Sequence, residues 1–202
     1  MKKLFCIFSA VLLAFSLVSC GSEPAPALED VRDEFVALIE SSYEINEILF
    51  GDGIPVYKRD GSDEETSFYN GLGSELDGYE LVKEDYKYQM IEQIEQAARA
   101  VYTEEYLAPV LQIATEGLAD EVMGVTPARF FEWQGYLYQN MNLNAIIDGT
   151  RKYNFDSMKM VEPSTADYVN IQLESELDGE SLTVTLAFKK CENGWRLDTP
   201  TY

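Results

Sequence analysis

The stretch VNIQLESELDGESLTVTLAF, residues 169–188, decides the fold. Val169, Ile171 and Leu173 alternate with Asn170, Gln172 and Glu174, and a period of two puts one set on the buried face of a strand and the other in water. Asp178 and Gly179 then make a tight turn, because both central positions of a two-residue hairpin loop need a positive φ that this pair tolerates. Leu182, Val184, Leu186 and Phe188 alternate with Thr183 and Thr185 on the returning strand. A long antiparallel hairpin with one apolar face must be covered by another layer.

Working outward, Asn193-Gly194 signals a further hairpin, and Trp195 to Asp198 closes the chain. Upstream, Tyr153 to Met160 reads as a strand in which Tyr153 and Phe155 share one parity and Met158 and Met160 the other, so a bulge is expected near Ser157. Arg129 to Trp133 and Tyr136 to Gln139 flank Gln134-Gly135 as another hairpin. From Ala128 onward the expectation is an antiparallel meander of five or six strands.

The cover comes from the first half of the chain. Leu28, Val31, Phe35, Leu38, Ile39, Ile45, Ile48 and Leu49 recur at three and four, which predicts a helix over 28–49 ended by Gly51-Asp52-Gly53. Met90 to Val101 reads as a second helix. Thr103, with acids at 104 and 105, reads as the N-cap of a third that runs to about Thr115, with Pro109 as a kink or a split. Residues 50–78 read as a loop with one short strand near Ile54 to Lys58, and Tyr79 to Val82 as another strand. Segregated helices and strands of this kind mean α+β, with N-terminal helices packed on a curved C-terminal β-meander.

The N-terminus sets the compartment. Lys2 and Lys3 precede an apolar run from Leu4 to Val18, too short for a membrane span and right for a secretory signal. Leu17-Val18-Ser19-Cys20 resembles the bacterial lipobox, which implies cleavage after residue 19 and a lipid on Cys20. The domains expected are a lipoprotein signal at 1–19, a lipidated cysteine and tether at 20–27, and one α+β domain at 28–202. Seven residues of tether reach at most about 25 Å. The location expected is extracytoplasmic, on a membrane.

Without residues 1–19 the chain has 183 residues with 13 basic against 36 acidic side chains. An excess of negative charge on that scale excludes a nucleic-acid binder, which needs a basic footprint, and favours basic partners. Cys6 leaves with the signal and Cys20 takes the lipid, so Cys191 is left without an internal disulfide partner. The sequence has no histidine, which removes Ser-His-Asp and Cys-His nucleophiles and most zinc sites. Cys191 therefore reads as a half-buried strand residue.

Other candidate chemistry is thin. The acids of Asp60 to Glu65 place Asp60, Ser62 and Glu64 at the first, third and fifth EF-hand positions. Glu65 stands where the loop needs glycine, and Gly71 where it needs a bidentate glutamate. Glu104 with Glu105, or Glu116 with Asp120, offer carboxylate pairs for a glycosidase. Among 36 acids, however, some pair always qualifies by chance. No enzyme activity, metal or cofactor is expected. Phe130, Phe131, Trp133, Tyr136 and Tyr138 crowd one hairpin, one face of it core and the other an aromatic platform to be covered by the chain's own helices.

Several segments carry a family likeness. Tyr136-Leu-Tyr-Gln after the Gln-Gly turn, the hairpin about Asp178-Gly179 and the ending from Glu192 to Tyr202 resemble secreted bacterial proteins of the D,L-endopeptidase inhibitor (IseA-like) family. Ile48 to Pro55 and Val101 to Tyr106 are similar as well, so that the likeness spans most of residues 43–202. The Asn-Gly-Trp hairpin is also similar to that of nuclear-transport-factor-2-like and other cystatin-like α+β domains. The resemblance implies a non-catalytic extracellular protein that binds and restrains peptidoglycan hydrolases; the chain is expected to be a monomer. In that reading Tyr57, Phe68 and Tyr69, on the long loop, contact the partner. The alternative is a solute-binding or sensory domain with a small-molecule pocket between helices and sheet. An inhibitor is expected to have that space plugged by helices, and a ligand binder to keep it open.

Overall fold

The computed structural model describes residues 23–58, 78–120, 124–147 and 149–202. Among them lie three helices, α1 (Leu28–Phe50), α2 (Ile91–Val101) and α3 (Glu104–Glu116). The strands are β1 (Tyr79–Leu81), β2 (Leu118–Asp120), β3 (Gly124–Thr126), β4 (Phe130–Trp133), β5 (Tyr136–Asn140), β6 (Lys152–Val161), β7 (Tyr168–Leu177), β8 (Glu180–Cys191) and β9 (Gly194–Leu197). The class is α+β, with the helices preceding a four-stranded antiparallel meander β6-β7-β8-β9.

The deciding hairpin forms as its pattern requires. β7 and β8 pair from Tyr168↔Lys189 to Leu177↔Glu180 around Asp178 and Gly179, both at positive φ. Val169, Ile171 and Leu173 on β7, and Leu186 and Phe188 on β8, are buried. At the hairpin tip the alternation outlasts the cover: Leu182 is 52% exposed. The register of β6 on β7 shifts between Asn154 and Lys159. There the Ser157 hydroxyl donates to the Asn154 carbonyl and accepts from the Glu174 amide at 2.8 Å, satisfying groups that the bulge takes out of the ladder.

The meander is shorter than the sequence pattern predicts. The 130–140 hairpin is not part of it: β5 pairs with β4 on one side and β1 on the other, making a separate three-stranded sheet. The reason is that this hairpin is apolar on both faces. Phe130 and Leu137 face the main core, while Tyr138 packs with Tyr79 and Leu81 in a second cluster flanked by Tyr57 and Trp133. On the other face Tyr138 is flanked by Tyr79 and Leu81 of the neighbouring strand β1 and by Tyr57, not by helices, and Phe131 and Tyr136 stay partly exposed. The strand expected near Ile54 to Lys58 is reduced to a bridge, Val56↔Val82. The β2–β3 pair was not foreseen. It follows Gly117, where φ is +78° and a Cβ would stand 2.5 Å from the Thr126 carbonyl oxygen, so only glycine fits.

α1 covers the meander. Phe35 stacks on Phe188 with ring centroids 3.9 Å apart, and Trp195 meets Phe35 edge-on at 5.3 Å. Burial of rings this large supplies most of the local stabilisation. Glu34 accepts from the Trp195 amide at 3.0 Å. α3 starts as predicted, with the Thr103 hydroxyl accepting from the Tyr106 amide, and it runs unbroken through Pro109. The α2–α3 junction is tied to the sheet by Thr103, whose amide donates to the Leu197 carbonyl at 2.8 Å. No helix among the described residues is long and apolar enough to cross a membrane.

Candidate functional site

The C-terminal end of α1 is where the polar groups of the interior converge. The last turn of this helix carries no basic residue, although its free carbonyls form the negative end of the helix dipole. The cation comes from far along the chain. Arg129, 5% exposed, donates from Nε to the Ile48 carbonyl at 2.9 Å and from Nη2 to the Gly51 carbonyl. Burial pulls this guanidinium below the usual arginine value, and the charges of Glu47 and Asp52 oppose that. Sequence reading missed Arg129 as a functional residue. The one hint in the sequence is a helix end without a local cation, which does not say which distant cation supplies it.

One turn back, Tyr102 donates to Asn46 Oδ1 at 2.7 Å and lies 2.8 Å from Thr201 Oγ1. Thr201 Oγ1 also accepts from Asn46 Nδ2 at 2.8 Å and meets Ser42 Oγ at 2.6 Å. Burial pushes the Tyr102 phenol up to about 12, against the hydrogen bonds from Thr201, Ser42 and Asn46 that lower it. The group is closed on itself and ties α1, the end of α2 and the C-terminus together. The Tyr106 hydroxyl nearby is buried with no hydrogen-bond partner among the described residues; burial, then Tyr202 and Tyr102, push its pKa up.

Two hollows flank this end. The first, about 330 Å³, lies between the end of α1, the outer face of α3 and residues 143–146, with Leu49, Phe50, Pro109, Val110 and Ile113 in its wall and Arg129 at one side. The chain is strapped there by amides of Ile146 and Ile147 donating to the Phe50 carbonyl. The second is an open groove of about 600 Å³ along residues 52–56, bordered by Lys58, Lys83, Gln139 and Met141. Gln139 builds it: Oε1 accepts from the Ile54 amide at 2.7 Å and Nε2 donates to the Asp52 carbonyl at 2.8 Å.

Of the residues expected to meet a partner, Tyr57 stands beside this groove. Its amide donates to the Leu81 carbonyl at 2.8 Å. The ring is half-buried against the second cluster, with the Lys83 ammonium 5.7 Å from its centroid. Phe68, Tyr69, the acidic 60–65 run and the lipidation residue Cys20 lie outside the described residues. Phe131 and Tyr136 of the aromatic hairpin stay partly exposed while Tyr138 is buried.

The carboxylate pair Glu104 and Glu105 does not form a facing dyad. Glu104 pairs with Arg99 at 2.9 Å and Glu105 with Lys189, whose hydrogen bond holds the Glu105 carboxyl below its ordinary value. Glu116 is exposed, and the side chain of Asp120 lies outside the described set. Among the described residues no three acids, cysteines or histidines gather as metal ligands. Cys191 is not half-buried as expected but exposed, because β8 outlasts the helix cover at its last residue. No protein-family model matches the chain, and no curated protein matches it.

Proposed function

We propose that this chain is a membrane-anchored extracytoplasmic lipoprotein whose domain works by binding a protein rather than by catalysis. A peptidoglycan D,L-endopeptidase is the target proposed. The observation that carries the reading is the filled space between helices and meander. Phe35, Phe188 and Trp195 close the place where a solute-binding α+β domain keeps its cavity. Binding is thereby left to the surface, and the 52–58 segment with its open groove is the surface next to the loop expected to reach a partner. The large negative charge speeds encounter with a basic enzyme and makes binding sensitive to salt.

The test is inhibition of stem-peptide cleavage by a purified D,L-endopeptidase, titrated with residues 21–202 at low and moderate salt. Inhibition that weakens as salt rises supports the proposal; undiminished cleavage at every ratio and salt overturns it. Deleting residues 60–75 is expected to abolish inhibition with the melting temperature nearly unchanged. Inhibition that survives the deletion removes the loop from the account.

A further inference from the structure

The smaller hollow has a property that its neighbours lack. Its wall is apolar apart from Arg129, Thr126 and Asn144, and its volume of about 330 Å³ sits at the lower end of the range of small-molecule sites. A cation as deeply buried as Arg129 is costly unless paired. Yet Arg129 forms no ion pair among the described residues, and its bonds to Ile48 and Gly51 use only Nε and Nη2. Nη1 has no partner among the described residues. Glu47 and Asp52 act on it only through space, neither carboxylate coming within ion-pair distance, and one oxygen of Glu47 is engaged by the Asp52 amide.

We infer that this hollow binds a small amphiphile with one terminal carboxylate. At the roughly 30 Å³ that a water-sized group occupies, the space holds an apolar body of about ten heavy atoms. The body lies among Phe50, Val110 and Ile113, and the carboxylate accepts from Nη1 of Arg129. The head-group preference follows from charge: an ammonium is repelled by the guanidinium, and an alcohol takes a hydrogen bond without the charge that strengthens it. Ile113, 44% exposed at the rim, leaves a way in. This site adjoins the 52–58 groove, with Leu143 and Asn144 in both walls, but the inference does not rest on the hydrolase reading.

The experiment is a calorimetric titration of residues 21–202, which contain every described residue, with sodium octanoate, 1-octanol and octylammonium chloride. Octanoate is expected to bind saturably, about tenfold more tightly than octanol, and octylammonium not at all. Ile113→Trp fills the hollow from its rim and is expected to abolish octanoate binding while circular dichroism and melting temperature are kept. Should that variant fail to fold, Val110→Phe serves the same purpose. No saturable octanoate binding, equal binding of the three head groups, or full binding by a folded filled variant each overturns the inference. Such a failure leaves the cleavage assay untouched, because that assay reads inhibition of a protein partner and not occupancy of this hollow.

Discussion

The two halves of α1 are held by different chemistry. From Val31 to Ile39 the helix meets the meander through stacked rings and aliphatic side chains. From Ser42 to Gly51 the helix still buries Ile45, Ile48, Leu49 and Phe50 in the core, but directed bonds are added: the Tyr102, Asn46, Thr201 and Ser42 cluster, then the guanidinium of Arg129 on the terminal carbonyls. The first kind of contact depends on area and shape and is forgiving of chemistry. The second depends on atoms in fixed places, so that losing one partner strands the others. One helix thus has a near half that responds to volume and a far half that responds to charge and protonation.

The largest effect tests the near half. Phe188→Ala removes a fully buried ring stacked on Phe35 and is expected to cost about 4 kcal/mol by denaturant titration. A cost below that of any far-half substitution breaks the comparison. Arg129→Met keeps much of the volume but strands the Ile48 and Gly51 carbonyls, at about 3 kcal/mol. Its signature is loss of amide protection confined to the last turn of α1, read by hydrogen exchange.

Protonation sharpens the contrast. Burial pushes the folded-state Tyr102 phenol up to about 12, from the ordinary tyrosine value of about 10. The folded state therefore keeps this proton after the unfolded state has lost it. The stability is present in full below pH 10 and drains as pH climbs to 12, by a few kcal/mol, the order of magnitude that such a gap implies. Tyr106 and Tyr153, also raised chiefly by burial, add to the same alkaline loss. A flat stability profile across that window, followed by urea midpoints, contradicts the assignment. Tyr102→Phe is the smallest change: it leaves Asn46 and Thr201 short of a partner, costs about 1.5 kcal/mol at neutral pH, and makes the alkaline loss shallower.

The parts of the fold that were legible in the sequence are those whose information is local. The apolar spacing of α1, the Asp-Gly and Gln-Gly turns, the parity change at Ser157 and the Thr103 cap each reside within a few residues, and each appears where the pattern puts it. The division into two sheets was not legible. The 130–140 hairpin is joined to β1 by pairings more than fifty residues apart in sequence, such as Leu81↔Tyr138. Alternation reports which face of a strand is apolar, and this hairpin is apolar on both. Leu182 was expected in the core and lies outside it for a related reason: periodicity does not say how far the covering helix extends. Arg129 was hidden deepest, because its partners are main-chain carbonyls, which carry no sequence signature.

The length of α1 has a geometric consequence. At 23 residues it spans about 35 Å. Its first turn follows a segment pinned by the Ala166 amide donating to the Glu23 carbonyl, whereas both hollows sit at its last turn. With a lipid on Cys20 as proposed, the helix is a mast: its foot stays near the bilayer, and the recognition surfaces ride at its head, up to one helix length farther into the wall.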